Sequence, residues 1–247
     1  MNVNFVLRDW CTVRNLAVSP ECLDDVQQYL SPRGVMIPTN YTSFIAPITA
    51  ARVWMGTRDI PNRKGIVSSA RLLNNLSEGL ETPFVVKLHA CHYIHQSLPV
   101  FTFTHPRTSD NNTRWIFPVS LIPVWVRNSS YSTVSFPVTV DTQLHGFSGT
   151  FCSTLYSDTN ISTLPESHTY DMHSWFPLFI PIQVPLQLKS GDLITVHVWR
   201  LWSPPLRSSL TMVRCKNARK VWYEWCLSSP LATPIQNSGG SSYWIGL

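Results

Sequence analysis

Residues 166–185 read ESHTYDMHSWFPLFIPIQVP, and this stretch decides the fold. A polar segment rich in His, Ser and Thr gives way at Ser174-Trp175-Phe176-Pro177 to aromatic and aliphatic residues punctuated by proline. Pro177, Pro181 and Pro185 have no N–H to give to a sheet ladder, so the segment reads as an edge strand or as a bulged entry into one. A tryptophan at such a boundary can lie half in the core and half over a cleft. From spacing alone, Trp175 is a core plug.

Outward from there the chain has the texture of strands. Short β-prone runs bounded by Pro, Asn or Gly occur at 35–38, 41–48, 83–89, 100–104, 134–140, 147–156, 178–183, 193–200, 220–227 and 243–245. Nineteen prolines against ten glycines fit an irregular β protein better than a helical one. Residues 49–80 form a polar excursion with one short helix expected near 66–76. A helix is predicted at 19–30: Ser19 caps it, Pro20 takes its first position, and Glu21, Asp24 and Asp25 face the positive end of its dipole. Cys22, Leu23, Val26, Tyr29 and Leu30 supply its apolar stripe, and Ser31-Pro32-Arg33-Gly34 ends it. The expectation is therefore a mainly β chain, an antiparallel β-barrel or sandwich with one short N-terminal helix and long irregular loops.

Composition narrows the class. The 247 residues are 44% hydrophobic and 13% charged, which suits a globular chain able to bury a large core. The net charge of +5 comes from scattered residues, with no basic run longer than Arg63-Lys64 or Arg219-Lys220, so no nucleic-acid footprint is expected. The most apolar segments, 115–126 and 176–188, are too short and too proline-broken to cross a bilayer. Met1–Trp10 lacks an apolar core, with Arg8-Asp9 interrupting it, so no signal peptide is expected. The six cysteines, at 11, 22, 91, 152, 215 and 226, contain no CxxC pair and read as reduced, mostly buried thiols. Cytoplasmic and nuclear localisation is the matching expectation.

Motif chemistry is sparse. GxGxxG, GxxxxGK[ST] and GxSxG are absent, and so are the phosphate cradles and the nucleophile elbow they encode. His89, Cys91, His92 and His95 crowd together. On a strand they would face opposite sides, and no second cluster completes a metal site, so none is expected. Glu166, Asp171, Asp192 and Glu224 stand isolated and read as turn or surface residues.

Ten ordered stretches resemble the C-terminal part of the type II protein arginine methyltransferases, the arginine methyltransferase 5 family. They are SPECLD (19–24), IPTNYTSFIAPI (37–48), VVKLHACH (85–92), FTFTHP (101–106), SFPV (135–138), LHGFSGTF (144–151), SWFP (174–177), VWR (198–200), KVWYEW (220–225) and the final SYWIGL (242–247). The resemblance implies that 19–247 is the β-barrel that packs on a methyltransferase domain and supports oligomers. In the family, methyl groups pass from S-adenosylmethionine to arginines of Gly/Arg-rich tails, giving symmetric dimethylarginine. It implies partners of two kinds, further copies of the chain or a catalytic domain on which it docks.

The departures are as informative. In the family the cofactor-binding domain and two catalytic glutamates precede SPECLD. Counting back from Ser19, Ala17 and Arg8 stand where those carboxylates belong, and neither can hold a guanidinium by bidentate hydrogen bonds. No cofactor is therefore expected in this chain, with 1–18 an N-terminal remnant. Residues 114–127 and 201–218 interrupt neighbouring family stretches with apolar, proline-bearing sequence, as retained intronic sequence would. The resemblance also implies that Trp175 packs on the substrate arginine. One alternative is a fragment of an intact active methyltransferase whose upstream exons are missing; another is an unrelated all-β binding module.

Overall fold

In the computed structural model the described residues are 29–58, 79–106, 130–172, 175–203, 220–241 and 244–245, together with Leu23 and Gln27. Position 17, position 8, the expected helix at 66–76, the unmatched segment 114–127 and most of 201–218 lie outside them.

The strands are β1 (Asn40–Thr49), β2 (Phe84–Val85), β3 (His92–Tyr93), β4 (Leu98–Thr104), β5 (Ser130–Pro137), β6 (Thr142–Tyr156), β7 (Thr159–Ser162), β8 (Leu178–Leu188), β9 (Leu193–Ser203), β10 (Lys220–Ser229) and β11 (Trp244–Ile245). The first sheet runs β11-β2-β8-β6-β1-β3, with β4 also on β1 and β7 also on β6. The second runs β10-β9-β5. All pairings are antiparallel except β11 on β2. Alternation places Ile194, Val196, Val198, Tyr223, Trp225, Leu227 and Phe136 on the inner face of the second sheet. They join Tyr41, Ile45, Phe147, Ile180 and Ile182 of the first in one core, as period-2 strands of a sandwich do. The described strands make a sandwich of two sheets and not a closed barrel, which settles the barrel-or-sandwich expectation.

The long strand β6 is the spine. One edge pairs with β1 over Gly146–Thr154; along the other lie β8, from Thr142 to Gly149, and then β7, from Cys152 to Tyr156. Leu144 opposes Leu186 and Gly146 opposes Pro181, so β8 carries three more residues than β6 across this step. Pro181 and Pro185 sit at the excursion, where a missing ladder donor does least harm. The bulged reading of 166–185 therefore holds. The edge reading holds only from Ile180 onward, because Leu178 and Phe179 lie between β2 and β6. Two indoles satisfy the freed carbonyls: Trp225 Nε1–H donates to Pro181 O at 2.9 Å and Trp54 Nε1–H to Ile182 O at 2.7 Å.

Several expected elements differ. Val35–Pro38 is not a strand; it bends, with Met36 and Pro38 buried and no ladder. The expected 83–89 strand shrinks to β2, and β3 and β7 were not expected. The excursion 49–80 opens with a helix, α1 (Ala51–Arg58), instead of starting loop-like. Near the N-terminus Leu23 and Gln27 are helical, but Tyr29 is a turn and Leu30 is not helical, so the helix stops short of the expected end at 30; Leu23 is 1% exposed in the main core. Leu30 packs on the same core, whereas Tyr29 is exposed and leaves the stripe. Leu201–Ser203, assigned above to an unmatched insertion, continue β9 and pair with Lys220–Trp222. Among the described residues no helix is long and apolar enough to span a membrane.

Candidate functional site

Trp175 stands at the entry to β8, half-buried, its indole against the Phe151 ring with centroids 5.0 Å apart and planes at 48°. Phe151 is 3% exposed on β6. Its backbone is gripped by Thr163 from both sides: Phe151 N–H donates to Thr163 Oγ1 at 2.9 Å and Thr163 N–H donates to Phe151 O at 2.8 Å. The segment leading to Trp175 is tied in the same way. Thr169 N–H donates to Ser162 O at 2.9 Å, Ser162 N–H to Thr169 Oγ1 at 2.8 Å, and Leu164 N–H to Ser162 Oγ at 3.1 Å. Glu166 is the middle residue of a short 3-10 turn, Pro165–Ser167, on the surface, and Tyr170 is 95% exposed.

Next along the chain, Phe176 is half-buried on the core and Lys87 places Nζ 5.4 Å from its ring centre. Val86 N–H donates to Pro177 O at 3.2 Å, and β2 then pairs with Leu178 and Phe179. The half-exposed tryptophan thus sits on a buried aromatic floor, between two segments whose backbones are fixed. An indole in that position can offer a π-face to a cation. Trp175 was legible in the sequence. Phe151 and Lys87 were not picked out, although both lie in quoted stretches, LHGFSGTF and VVKLHACH; only long-range pairing brings them to the tryptophan.

The other sequence candidates do not converge here. Cys91 Sγ lies 3.8 Å from Leu88 O, His95 shares a hydrogen bond with its neighbour's carbonyl, Gln96 O, and packs edge-on against Phe136, and His89 and His92 are exposed. Among the described residues no group of three or more His, Cys, Asp or Glu is placed to hold a metal. Cys91, Cys152 and Cys226 are free thiols, half-buried instead of buried as expected, and desolvation pushes the thiols of Cys91 and Cys226 up.

The described strands thus form two packed sheets with a half-exposed tryptophan at a bulged strand entry. Residues 40–204 match the family described as the PRMT5 oligomerisation domain, and the chain belongs to that family. It is 36% identical over 230 residues to protein arginine N-methyltransferase 5 of Xenopus laevis, covering 93% of this chain and 30% of that protein. Against the Oryza sativa subsp. indica protein of the same name the identity is 37% over 233 residues, with 93% and 29% covered. Against protein arginine N-methyltransferase skb1 of Schizosaccharomyces pombe it is 30% over 248 residues, with 92% and 33% covered. The chain thus spans about 30% of the length of the curated relatives it matches.

The fold is also that of a chain from the Trypanosoma brucei PRMT1 enzyme–prozyme heterotetrameric complex with AdoHcy. There the TM-score is 0.56 at 12% identity, with 87% of this chain and 62% of that chain covered. Arabidopsis thaliana protein arginine methyltransferase 10 aligns with a TM-score of 0.51 at 15% identity, covering 87% and 65%.

Proposed function

We propose that this sandwich is the C-terminal packing domain of an S-adenosylmethionine-dependent arginine methyltransferase. It joins further copies of the chain or docks on a catalytic domain, and offers Trp175 to the substrate arginine. The match of residues 40–204 to an oligomerisation domain carries this reading. Methyl transfer is proposed for the whole protein in which such a region lies, with Gly/Arg-rich tails as substrates and symmetric dimethylarginine as product. This region's share is geometric. An indole face over a guanidinium contributes roughly 0.5–2 kcal/mol and fixes the plane of the group that must meet the methyl donor.

The division of labour is tested on the purified chain by light scattering over a range of concentrations, with isothermal titration of S-adenosylmethionine alongside. Mass that rises with concentration, with no heat from the cofactor, supports a packing domain whose cofactor site lies elsewhere. Micromolar cofactor binding overturns it; a monomer at all concentrations removes self-association and leaves docking on a catalytic domain as the packing role. The role of Trp175 is tested separately in the complete methyltransferase, where Trp175→Leu should sharply lower turnover of an arginine peptide. Unchanged turnover removes that role.

A further inference from the structure

The final stretch SYWIGL is used by nothing described so far, yet the topology connects it to Trp175 in three steps. Its residues Trp244 and Ile245 form β11, which pairs in parallel with Phe84 and Val85. Those two residues are the whole of β2, and on their other edge they pair with Phe179 and Leu178 at the start of β8. The next residue, Val86, donates its N–H to Pro177 O, and Lys87 after it covers the Phe176 ring. Pro177 and Phe176 are the two residues that follow Trp175.

A two-residue strand has little stability of its own, and its ladder holds because both edges are paired. Phe84 and Val85 are buried at 0% and 4% exposure, so the middle of this arrangement is anchored in the core. Its outer edge is closed by β11. Without β11, β2 becomes a two-residue edge strand, and the Val86–Pro177 bond hangs from its end.

We propose that the strand Trp244–Ile245 is a positioning element for Trp175, acting through β2 on the Phe176–Pro177 backbone. As a functional statement this rests on the reading of Trp175 as the residue that meets the substrate arginine; as a structural statement it stands alone. The strand touches no substrate. It sets the orientation of a residue that does.

The experiment uses the full chain labelled with 5-fluorotryptophan, with the Trp175 fluorine resonance assigned from Trp175→Phe. Two variants are compared with the parent: a chain ending at Tyr243, which removes β11, and Val86→Pro, which removes the donor to Pro177 together with the Val86 side chain packed beside Phe84 and Phe179. Both should shift or broaden the Trp175 resonance. Both should also speed amide exchange at residues 84, 85, 178 and 179 by roughly tenfold or more, with the β10-β9-β5 sheet unchanged. An unmoved Trp175 resonance in Val86→Pro overturns the proposal. So does a shift that comes only with lost protection across β10-β9-β5, because that is general unfolding. If the shortened chain does not fold, a chain carrying Trp244→Pro and Ile245→Pro, which keeps its length but has no N–H to pair as a strand there, takes its place. None of these readouts involves substrate, so a Trp175→Leu enzyme with unimpaired turnover would remove the functional reading and leave this result standing.

Discussion

The Trp175 indole leans on the Phe151 ring at a centroid distance of 5.0 Å and an angle of 48°, and the two rings differ sharply in burial. Phe151 is core; Trp175 is half-exposed. A tryptophan that served only as a plug would be the more costly of the two to remove. Here the order is reversed. Phe151→Ala should cost about 3–5 kcal/mol, the range for truncating a buried aromatic ring, whereas Trp175→Ala should cost under about 2 kcal/mol. Urea unfolding of the two variants checks the order, and a larger loss for Trp175→Ala would restore the plug reading.

Trp225 is 1% exposed, and its indole N–H answers the carbonyl of Pro181 in the β8 excursion. Trp225→Phe keeps an aromatic ring but removes that donor, and the Gln236 Nε2 contact to the same carbonyl is long, at 3.5 Å. A buried acceptor that loses its partner costs about 1–3 kcal/mol, to which the smaller ring adds a cavity. The midpoint of thermal unfolding should fall clearly, and further than for Trp54→Phe, whose ring is only half-buried. Equal effects would show that the bond to the excursion, which both indoles make, and not burial, sets the cost.

Leu23 is 1% exposed within the main core. Leu23→Asp would put an unpaired carboxylate there, and a loss of several kcal/mol, at the upper end of single substitutions, is expected. Leu23→Met, of similar volume, should cost under about 1.5 kcal/mol. A melting temperature unchanged in Leu23→Asp would show that the N-terminal helical residues do not belong to the core.

How much of this was legible follows from what each residue depends on. Strand segments such as 41–48, 193–200 and 220–227 announce themselves because alternation and β-branching are local. The excursion in β8 was legible because proline acts on its own backbone. The helix α1 was not: ARVWMGTR contains Gly56 and two β-branched residues, Val53 and Thr57, and has no apolar stripe. It is held from outside, by the bond from Trp54 to Ile182 O and by half-buried packing of Val53 and Trp54 on Ile48 and Phe179. β2, β3 and β11 have two residues each and depend on their partners: the runs 83–89 and 243–245 pointed to β2 and β11 without their bounds, and nothing local marked β3. The site divides in the same way. Trp175 is a local oddity, while its floor, Phe151, and its tether, Val86, come from segments 24 and 89 residues away.

His145 gives the chain a predictable response to acid. It lies on β6 at 4% exposure, its ring edge-to-face with Trp54 at a centroid distance of 6.4 Å and with Nδ1 lacking a hydrogen-bond partner among the described residues. Burial holds its pKa below the ordinary 6.5, opposed in part by a hydrogen bond involving the Gln143 backbone. A depressed folded value means that the native state favours the neutral ring and the unfolded chain takes up the proton first. Stability from this group is therefore complete above the unfolded pKa and is lost as pH falls through about 6.5 toward the lower folded value. The melting temperature should drop between about pH 7 and pH 5, and His145→Gln, which cannot charge, should flatten that slope while lowering stability at neutral pH. Parallel curves for parent and variant across this window would show that the ring stays uncharged in both states, or that other groups carry the whole acid response.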